Sequence, residues 1–326
     1  MVFIRKVGIV GGGVMGSGIA TVMLISGYPT VVKEINEELA KKARERIEKL
    51  LDEFIEFQVK KADREISDIE RKYGITLTDE QKEKIRLARK PRVTPEDKPK
   101  ILDRLIVTTS YDDFKDCDLV IEAVFENLEV KRQVFRELEE VVSERAVLGT
   151  NTSSIMVTDI AAKMKKPERA IGIHFFNPPT LLPLVEIAPG LRTRRDIVED
   201  IVDFINGLKN FRGAMLPIVV KDSPGFVVNR VLGAMMSEAM HVYEEGLATI
   251  RDIDLAMKAG AGMPMGPFEL MDLVGLDIIG HVIESFRRYF GVYPTTRLST
   301  LIQKYVSAGW LGKKTKKGFY DYTYKE

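Results

Sequence analysis

Residues Lys6–Gly16 read KVGIVGGGVMG, a short apolar run that ends in consecutive glycines. The glycines fit the pattern G-x-G-x-x-G, and a second apolar run, Ile19–Ile25, follows them. The pattern is weak alone, but a strand before it and a helix after it form the context in which it binds a dinucleotide. Gly11 then allows a tight turn, Gly13 lets the backbone approach the pyrophosphate, and Gly16 lets helix and strand pack closely.

The pyrophosphate is expected on backbone N–H groups at the start of that helix. The predicted contacts are Gly11, Gly13, Val14, Met15 and Gly16. A glycine turn that binds no ligand is the structural alternative.

An acidic residue closes the next strand-like run. Glu34 ends Thr30–Glu34, about 20 residues after the central glycine, where a carboxylate accepts hydrogen bonds from ribose hydroxyls and repels a 2′-phosphate. NAD is therefore the predicted cofactor. The neighbouring Lys33 weakens the exclusion of NADP, which stays open as an alternative.

Other apolar runs of strand length recur along the chain, and helical segments separate most of them. They are Thr30–Val32, Leu105–Val107, Leu119–Val124, Ala146–Leu148, Ala170–Phe176, Leu184–Ala188 and Leu216–Val220. Alternation of strands and helices predicts a parallel sheet covered by helices.

A charged segment, Glu37–Arg104, interrupts the alternation. Its apolar residues have helical spacing, and we expect a long helix, a turn at Gly74, a second helix near Asp79–Lys90 and a proline-rich return to the sheet. A solvated helical excursion is the simpler interpretation. Contact of its lysines with ligand phosphates is the alternative.

The best domain boundary is Lys221–Gly225, where proline and glycine stop regular structure. The segments after it have helical character, with a strand expected only at Gly318–Tyr322. The predicted helices are Phe226–Glu245, Ile250–Ala259, Pro267–Phe290 and Thr295–Ala308. We therefore predict domains at 1–221 and 222–326, the second all-helical.

The overall composition is that of an ordinary globular protein. The chain has 326 residues, 49 Lys and Arg against 48 Asp and Glu, and a net charge of +1, which gives no reason to expect nucleic acid or an anionic membrane as partner. Cys117 is the single cysteine, so a reducing compartment is expected, and the N-terminus lacks a signal-peptide layout. A cytoplasmic protein is predicted.

Histidine is scarce, with His174, His241 and His281 in the whole chain. His174 ends a strand-like run, and a turn leads back into a run that contains Glu186, so a hairpin can place the two side chains together. A carboxylate fixes the tautomer of an imidazole and stabilises its protonated form. From spacing alone, a structural histidine is the more frequent outcome.

Longer motifs carry a resemblance over nearly the whole chain. The motifs are Asn151–Ser154, His174–Pro178, Leu184–Glu186, Asp222–Arg230, Gly262–Pro267, Gly312–Thr315 and Gly318–Tyr320. In this order they resemble the L-3-hydroxyacyl-CoA dehydrogenase family. The resemblance implies an α/β fold: a Rossmann-type N-terminal domain with a mainly parallel sheet and a helical excursion, then an all-α C-terminal domain for substrate and dimerisation.

The resemblance also implies roles in an NAD-dependent oxidation of 3-hydroxyacyl-CoA. His174 resembles the general base and Glu186 its orienting partner. Ser153 and Asn229 resemble groups that contact the substrate near its reacting carbon, although a Thr-Ser-Ser run after a strand also caps helices. The cofactor contacts implied by the motifs are Glu126, Lys131, Asn177 and Lys314.

The substrate partner implied is an acyl-CoA, and the family suggests a homodimer. No metal is predicted. Some relatives continue into an enoyl-CoA hydratase domain, so the chain is either a free-standing dehydrogenase or the first part of a fusion. A dehydrogenase of CoA-free hydroxy acids and a non-catalytic NAD-binding protein remain alternatives, because fold does not fix function.

Overall fold

The computed structural model describes residues 3–291 and 300–323, without the side chains at positions 281 and 285. The chain forms two compact units. The first contains Met1–Thr152 and Met156–Asp222, and the second contains Ser153–Ile155 and Ser223–Glu326.

One sheet of eight strands organises the described part of the first unit, and its order is β3-β2-β1-β4-β5-β6-β7-β8. The strands are β1 (Val7–Val10), β2 (Thr30–Lys33), β3 (Leu105–Thr108), β4 (Leu119–Glu122), β5 (Val147–Thr150), β6 (Ala170–Phe175), β7 (Leu184–Pro189) and β8 (Leu216–Val219). Neighbours pair in parallel except β6 and β7, which are antiparallel. The predicted fold class, with its mainly parallel sheet, is confirmed.

Helices cover this sheet, and their apolar faces join the strands in one core that includes Ile9, Met23, Ile47 and Ile201. The helices of the first unit are α1 (Val14–Ile25), α2 (Glu37–Val59), α3 (Lys61–Tyr73), α4 (Asp79–Ala88), α5 (Lys98–Leu102), α6 (Leu128–Val141), α7 (Val157–Ala161) and α8 (Arg195–Gly207).

The charged excursion has the predicted helices with one difference. A single long helix was expected before Gly74, but the structure divides it into α2 and α3 at Lys60, whose ψ of 0° departs from helical geometry. Gly74 ends α3 with a φ of +62°, which glycine adopts without steric cost. Buried Ala43, Ile47 and Leu51 hold α2 against the core.

The second unit is helical in its described part. Its helices are α9 (Val228–Glu244), α10 (Ile250–Ala261), α11 (Pro267–Val274), α12 (Leu276–Phe290) and α13 (Thr300–Ser307). The single helix predicted over Pro267–Phe290 is wrong, because Gly275 breaks it with a φ of +102°. The start predicted for the last helix, Thr295, lies outside the described residues.

The strand expected at Gly318–Tyr322 is also wrong, because the backbone there is bound by a buried carboxylate. Asp272 accepts hydrogen bonds from the N–H groups of Phe319 and Tyr320, both at 2.9 Å. Lys317 and Asp321 form only an isolated bridge. These N–H groups are therefore not available to a β-ladder.

Candidate active site

The glycine turn between β1 and α1 has the geometry that a bound pyrophosphate needs. Gly11 has a φ of +96°, and a Cβ on Gly16 would lie 1.8 Å from the carbonyl oxygen of Gly11. A Cβ on Gly13 would meet no described atom within 4 Å. Gly13 therefore exposes its backbone at the start of α1, where Val14 is exposed and Met15 half-buried. The residues present fit a dinucleotide at this turn.

Glu34 lies directly against the glycine turn. Its carboxylate accepts a hydrogen bond from the N–H of Gly12 at 2.7 Å. The carbonyl of Gly12 in turn accepts from the guanidinium of Arg46 on α2, also at 2.7 Å. The amino group of Lys33 lies 4.3 Å from the ring centroid of Tyr111, so this cation forms a cation–π contact with that ring.

A buried ion network follows β4. The amino group of Lys131 lies 2.7 Å from Glu122 and 3.2 Å from Glu126, and the side chains of Lys131 and Glu122 are almost wholly buried. Thr150 and Thr152 donate to these two carboxylates. Burial acts to lower the pKa of Lys131, but the two carboxylates outweigh it and the pKa is raised. Lys131 therefore fixes Glu126, whose side chain is about one-third exposed.

His174 and Glu186 face each other across the antiparallel pair β6–β7, where they are register partners. The imidazole Nδ1 lies 2.9 Å from the carboxylate Oε2. His174 is 5% exposed and Glu186 is fully buried, while the ring of Phe176 packs edge-on against the imidazole at 4.6 Å. If Nδ1 carries the proton and donates a hydrogen bond to Glu186, Nε2 is left as the acceptor.

These groups share one edge of the sheet. The glycine turn follows β1, Glu122 ends β4, Thr150 ends β5, and His174 lies near the end of β6. The four strands are parallel, so their carboxyl ends coincide. The chain also reverses its strand order between β1 and β4, and ligands of open α/β sheets bind at such a point.

Ser153 and Asn229 lie together in the second unit. Both line a cavity whose remaining described walls are mostly apolar. The carbonyl of Ser153 accepts a hydrogen bond from the N–H of Gly225 at 3.0 Å, which links the Asn151–Ser154 motif to the start of the helical segment. Sequence spacing alone does not bring these two residues together, since more than seventy positions separate them.

Comparison with known proteins decides the family. The profile described as 3-hydroxyacyl-CoA dehydrogenase, NAD binding domain, matches residues 6–80 and 57–223, and the corresponding C-terminal domain matches residues 225–322. The chain belongs to the 3-hydroxyacyl-CoA dehydrogenase family. The predictions of the family, of an NAD-dependent dehydrogenase and of NAD as cofactor are confirmed.

Relatives of this dehydrogenase match over most of its length. A 3-hydroxybutyryl-CoA dehydrogenase of Bradyrhizobium diazoefficiens is 38% identical over 98% of this chain and 96% of its own. The mitochondrial hydroxyacyl-coenzyme A dehydrogenase of Homo sapiens is 34% identical over 98% and 92%. The crystal structure of (S)-3-hydroxybutyryl-CoA dehydrogenase PaaH1 from Ralstonia eutropha has a TM-score of 0.82 and 36% identity, covering 99% of this chain and all of that one.

Two of the residues predicted to contact the cofactor lie outside the contacts described so far. In this 3-hydroxyacyl-CoA dehydrogenase family member, Asn177 is exposed in the turn after β6. Lys314, in the second unit, forms an ion pair with Asp277 at 2.6 Å. Burial acts to raise the pKa of Asp277, but the hydrogen bond from Lys314 outweighs it and the pKa is lowered. Asp277 thus holds the Lys314 amino group near the start of α12.

Three positions of the dehydrogenase were missed in the sequence. Asn151 accepts a hydrogen bond from the N–H of Phe175 at 2.8 Å and so ties the end of β5 to the residue after His174. Gly18 lets α1 approach the turn after β6, because a Cβ there would lie 3.0 Å from Pro179. Arg46 binds the glycine turn. Asn151 opens the motif that holds Ser153, and this was the available signal.

Neither a metal centre nor a membrane span is found in residues 3–291 and 300–323. Three or more His, Cys, Asp or Glu side chains never cluster there in a way that could hold a metal ion. No helix of that part is long and apolar enough to cross a membrane.

Proposed function

We propose that this dehydrogenase interconverts (S)-3-hydroxyacyl-CoA and 3-ketoacyl-CoA with NAD, and that His174 is its general base and acid. The observation that carries the proposal is the buried His174–Glu186 pair. It lies at the same edge of the sheet as the glycine turn, so a base and a dinucleotide site share that edge.

In the oxidation, Nε2 of His174 takes the proton of the substrate hydroxyl as the C3–H bond breaks. A dinucleotide held at the glycine turn would supply the acceptor for the hydride that leaves C3. Glu186 keeps Nδ1 protonated and stabilises the imidazolium that forms. In the reverse direction, the same imidazolium returns its proton to the carbonyl oxygen. Because both side chains are nearly inaccessible to water, the interaction between them is little screened.

We assign the remaining predicted residues to substrate and cofactor. The Ser153 hydroxyl and the Asn229 amide are donors for the substrate oxygen, where negative charge develops during reduction. Residues assigned to NAD are Gly11, Gly13, Val14, Met15, Gly16, Glu34, Glu126, Lys131, Asn177 and Lys314. Of these, Lys131 acts through Glu126, since its amino group is buried in the ion network.

We further propose residues 1–221 as the NAD domain and 222–326 as a substrate and dimerisation domain. Support for a homodimer comes from exposed apolar side chains of the second unit, among them Val231, Leu255 and Leu273. Sedimentation of the purified protein at micromolar concentration tests it, and a monomer contradicts it. A cytoplasmic location is proposed from the buried free thiol of Cys117.

The activity is tested by following NADH oxidation with acetoacetyl-CoA and with free acetoacetate. The proposal predicts turnover of the thioester and a strong preference for it over the free acid. A dehydrogenase of CoA-free hydroxy acids shows no such preference. His174→Ala is expected to lower kcat by about 10²–10⁴, while binding of NADH, read from its fluorescence, persists. Near-normal turnover by that variant contradicts the assignment.

A further inference from the structure

The strand that carries His174 is paired to different lengths on its two sides. On one side, β6 pairs with β7 as far as Phe175 and Val185. On the other side, its pairing with β5 ends earlier, at Thr150 and Gly172. His174 and Phe175 therefore lie beyond the paired part of β5.

The side chain of Asn151 continues this pairing by one further hydrogen bond. Its Oδ1 accepts from the N–H of Phe175 at 2.8 Å, so a side-chain oxygen takes the part that a main-chain carbonyl has in the ladder. Phe175 is 1% exposed, and a buried N–H group without an acceptor is unfavourable. The bond therefore stabilises the end of β6 directly after His174.

The segment that contains Asn151 is itself fixed on the side of β4. The hydroxyl of Thr150 donates to Glu122 at 2.8 Å, and that of Thr152 donates to Glu126 at 2.7 Å. The N–H of Asn151 donates to the carbonyl of Glu122, also at 2.8 Å. Both threonines are fully buried. The buried ion network thus keeps in place the backbone that supplies the acceptor.

Asn151 also lies close in the chain to a residue assigned to the substrate. Ser153 follows it by two positions, and the bond from Asn151 reaches the residue directly after His174. One side chain thus connects the backbone that leads to the substrate donor with the backbone that carries the base. Misplacement of reacting groups by about 1 Å lowers a rate by up to about 100-fold. A bond of this kind can therefore control the rate without touching the substrate.

We propose that Asn151 is a positioning residue that fixes the β6–β7 hairpin, and with it His174, against the end of β5. The proposal rests on the proposed function, in which His174 is the base and Glu186 orients it. Those two residues are register partners within the hairpin, whereas the Asn151 bond joins the hairpin to the segment after β5. Loss of this bond should therefore move His174 without separating it from Glu186.

The experiment removes the acceptor and then restores it. Asn151→Leu has a similar volume and no acceptor, and it should lower kcat with acetoacetyl-CoA and NADH by about 10- to 100-fold. Asn151→Ala removes the same acceptor without adding bulk and should lower kcat as well. Asn151→Asp keeps an acceptor oxygen at this position and should recover most of the lost kcat. The dissociation constant of NADH, read from its fluorescence without any thioester, should stay at the wild-type value in all three variants.

The imidazole of His174 distinguishes a change of position from unfolding of the strand end. Because the chain has three histidines, the spectrum of His174→Ala identifies the ¹⁵N resonances of His174 in the labelled protein. These resonances show which ring nitrogen carries the proton. In Asn151→Leu the tautomer should be that of the wild type, since the β6–β7 pairing still places Glu186 beside the imidazole.

Ile201→Val is the matched control for a loss of stability. Ile201 lies in α8 and is fully buried in the core of the same unit. Loss of one methylene there should lower the midpoint of urea unfolding, as loss of a buried hydrogen bond does in Asn151→Leu. The control should nevertheless keep the wild-type kcat, because it leaves the end of β6 unchanged.

An unchanged kcat in Asn151→Leu overturns the inference, and so does an Asn151→Asp variant that is no more active than Asn151→Leu. Loss of the wild-type tautomer in Asn151→Leu also overturns it, because the bond would then only keep the strand end folded. Weaker NADH binding in step with the loss of kcat would assign Asn151 to the cofactor and contradict the positioning role. Failure of the proposed function is distinguishable, since the wild type would then turn over no thioester.

Discussion

His174 and Glu186 meet because they are direct register partners in the antiparallel pair β6–β7, with 2.9 Å between Nδ1 and Oε2. The contact follows from the hairpin between them and needs no long loop to bring it about. The backbone ladder continues on both sides of the pair and so places the two side chains next to each other on one face of the sheet. The sheet therefore places a carboxylate beside the imidazole, as the orienting role proposed for Glu186 requires.

We predict that Glu186→Gln lowers kcat by about 10²-fold, the lower end of the range for general acid–base groups. The amide keeps the volume of the carboxylate but loses the charge that stabilises the imidazolium. NADH binding should be unchanged, since the glycine turn is untouched. Steady-state kinetics with acetoacetyl-CoA and NADH fluorescence check both parts. A variant as active as wild type contradicts the role of Glu186.

Glu34 should decide the choice between NAD and NADP. Its carboxylate lies at the glycine turn, while the amino group of Lys33 lies over the ring of Tyr111. A carboxylate at this position of a dinucleotide site repels a 2′-phosphate. Glu34→Ser should raise the ratio of kcat/KM for NADPH to that for NADH by about tenfold or more. Glu37→Ser, an exposed change on α2, is the control. An unchanged ratio in Glu34→Ser would mean that other groups exclude the 2′-phosphate.

Cys117 is buried, and the burial of its thiol should have measurable effects on its reactivity and on protein stability at alkaline pH. Burial is the main cause that raises the pKa of its thiol to about 12, with Asp116 and Asp118 adding to it against Lys6. The native thiol should resist maleimide and react only on unfolding.

The raised pKa of the Cys117 thiol also determines how the stability of the protein depends on pH. Above pH 8.5 the unfolded thiol loses its proton while the native thiol keeps it, so the free energy of unfolding falls with pH. The contribution approaches about 1.4 kcal/mol per pH unit. Urea unfolding of wild type and Cys117→Ala between pH 8 and 10 checks it. The variant should show the smaller slope, and equal slopes contradict the assignment.

Local patterns predicted the parts of the site that are close in sequence. The glycine turn, Glu34 and the His174–Glu186 hairpin each depend on residues within about 25 positions of one another. Gly275 was visible too, but an isolated glycine inside a helical pattern is usually tolerated, so the break there was not predicted. The structure was needed to show its φ of +102°.

Contacts between distant segments could not be predicted. The approach of Gly18 to Pro179 joins residues more than 150 positions apart, and the cavity combines Ser153 with helices of the second unit. Periodicity describes which face of an element is apolar and does not say which element covers it. The accepted length of the acyl chain was therefore out of reach from the sequence.

The last prediction concerns the ion network of Lys131, Glu122 and Glu126. Removing Lys131 alone should lower the free energy of unfolding more than removing the charges of both Lys131 and Glu122. Lys131→Met leaves Glu122 charged, fully buried and without its cation, which is expected to destabilise the fold by about 3–5 kcal/mol. The double variant Lys131→Met with Glu122→Gln removes both charges and should recover part of that loss.

Lys165→Met, at the exposed pair with Glu140, is the control and should unfold as wild type does. Urea denaturation of the four proteins measures the free energies of unfolding. A double variant less stable than Lys131→Met alone would show that the carboxylate of Glu122 stabilises the fold independently of Lys131, through Thr150 and the N–H of Val124.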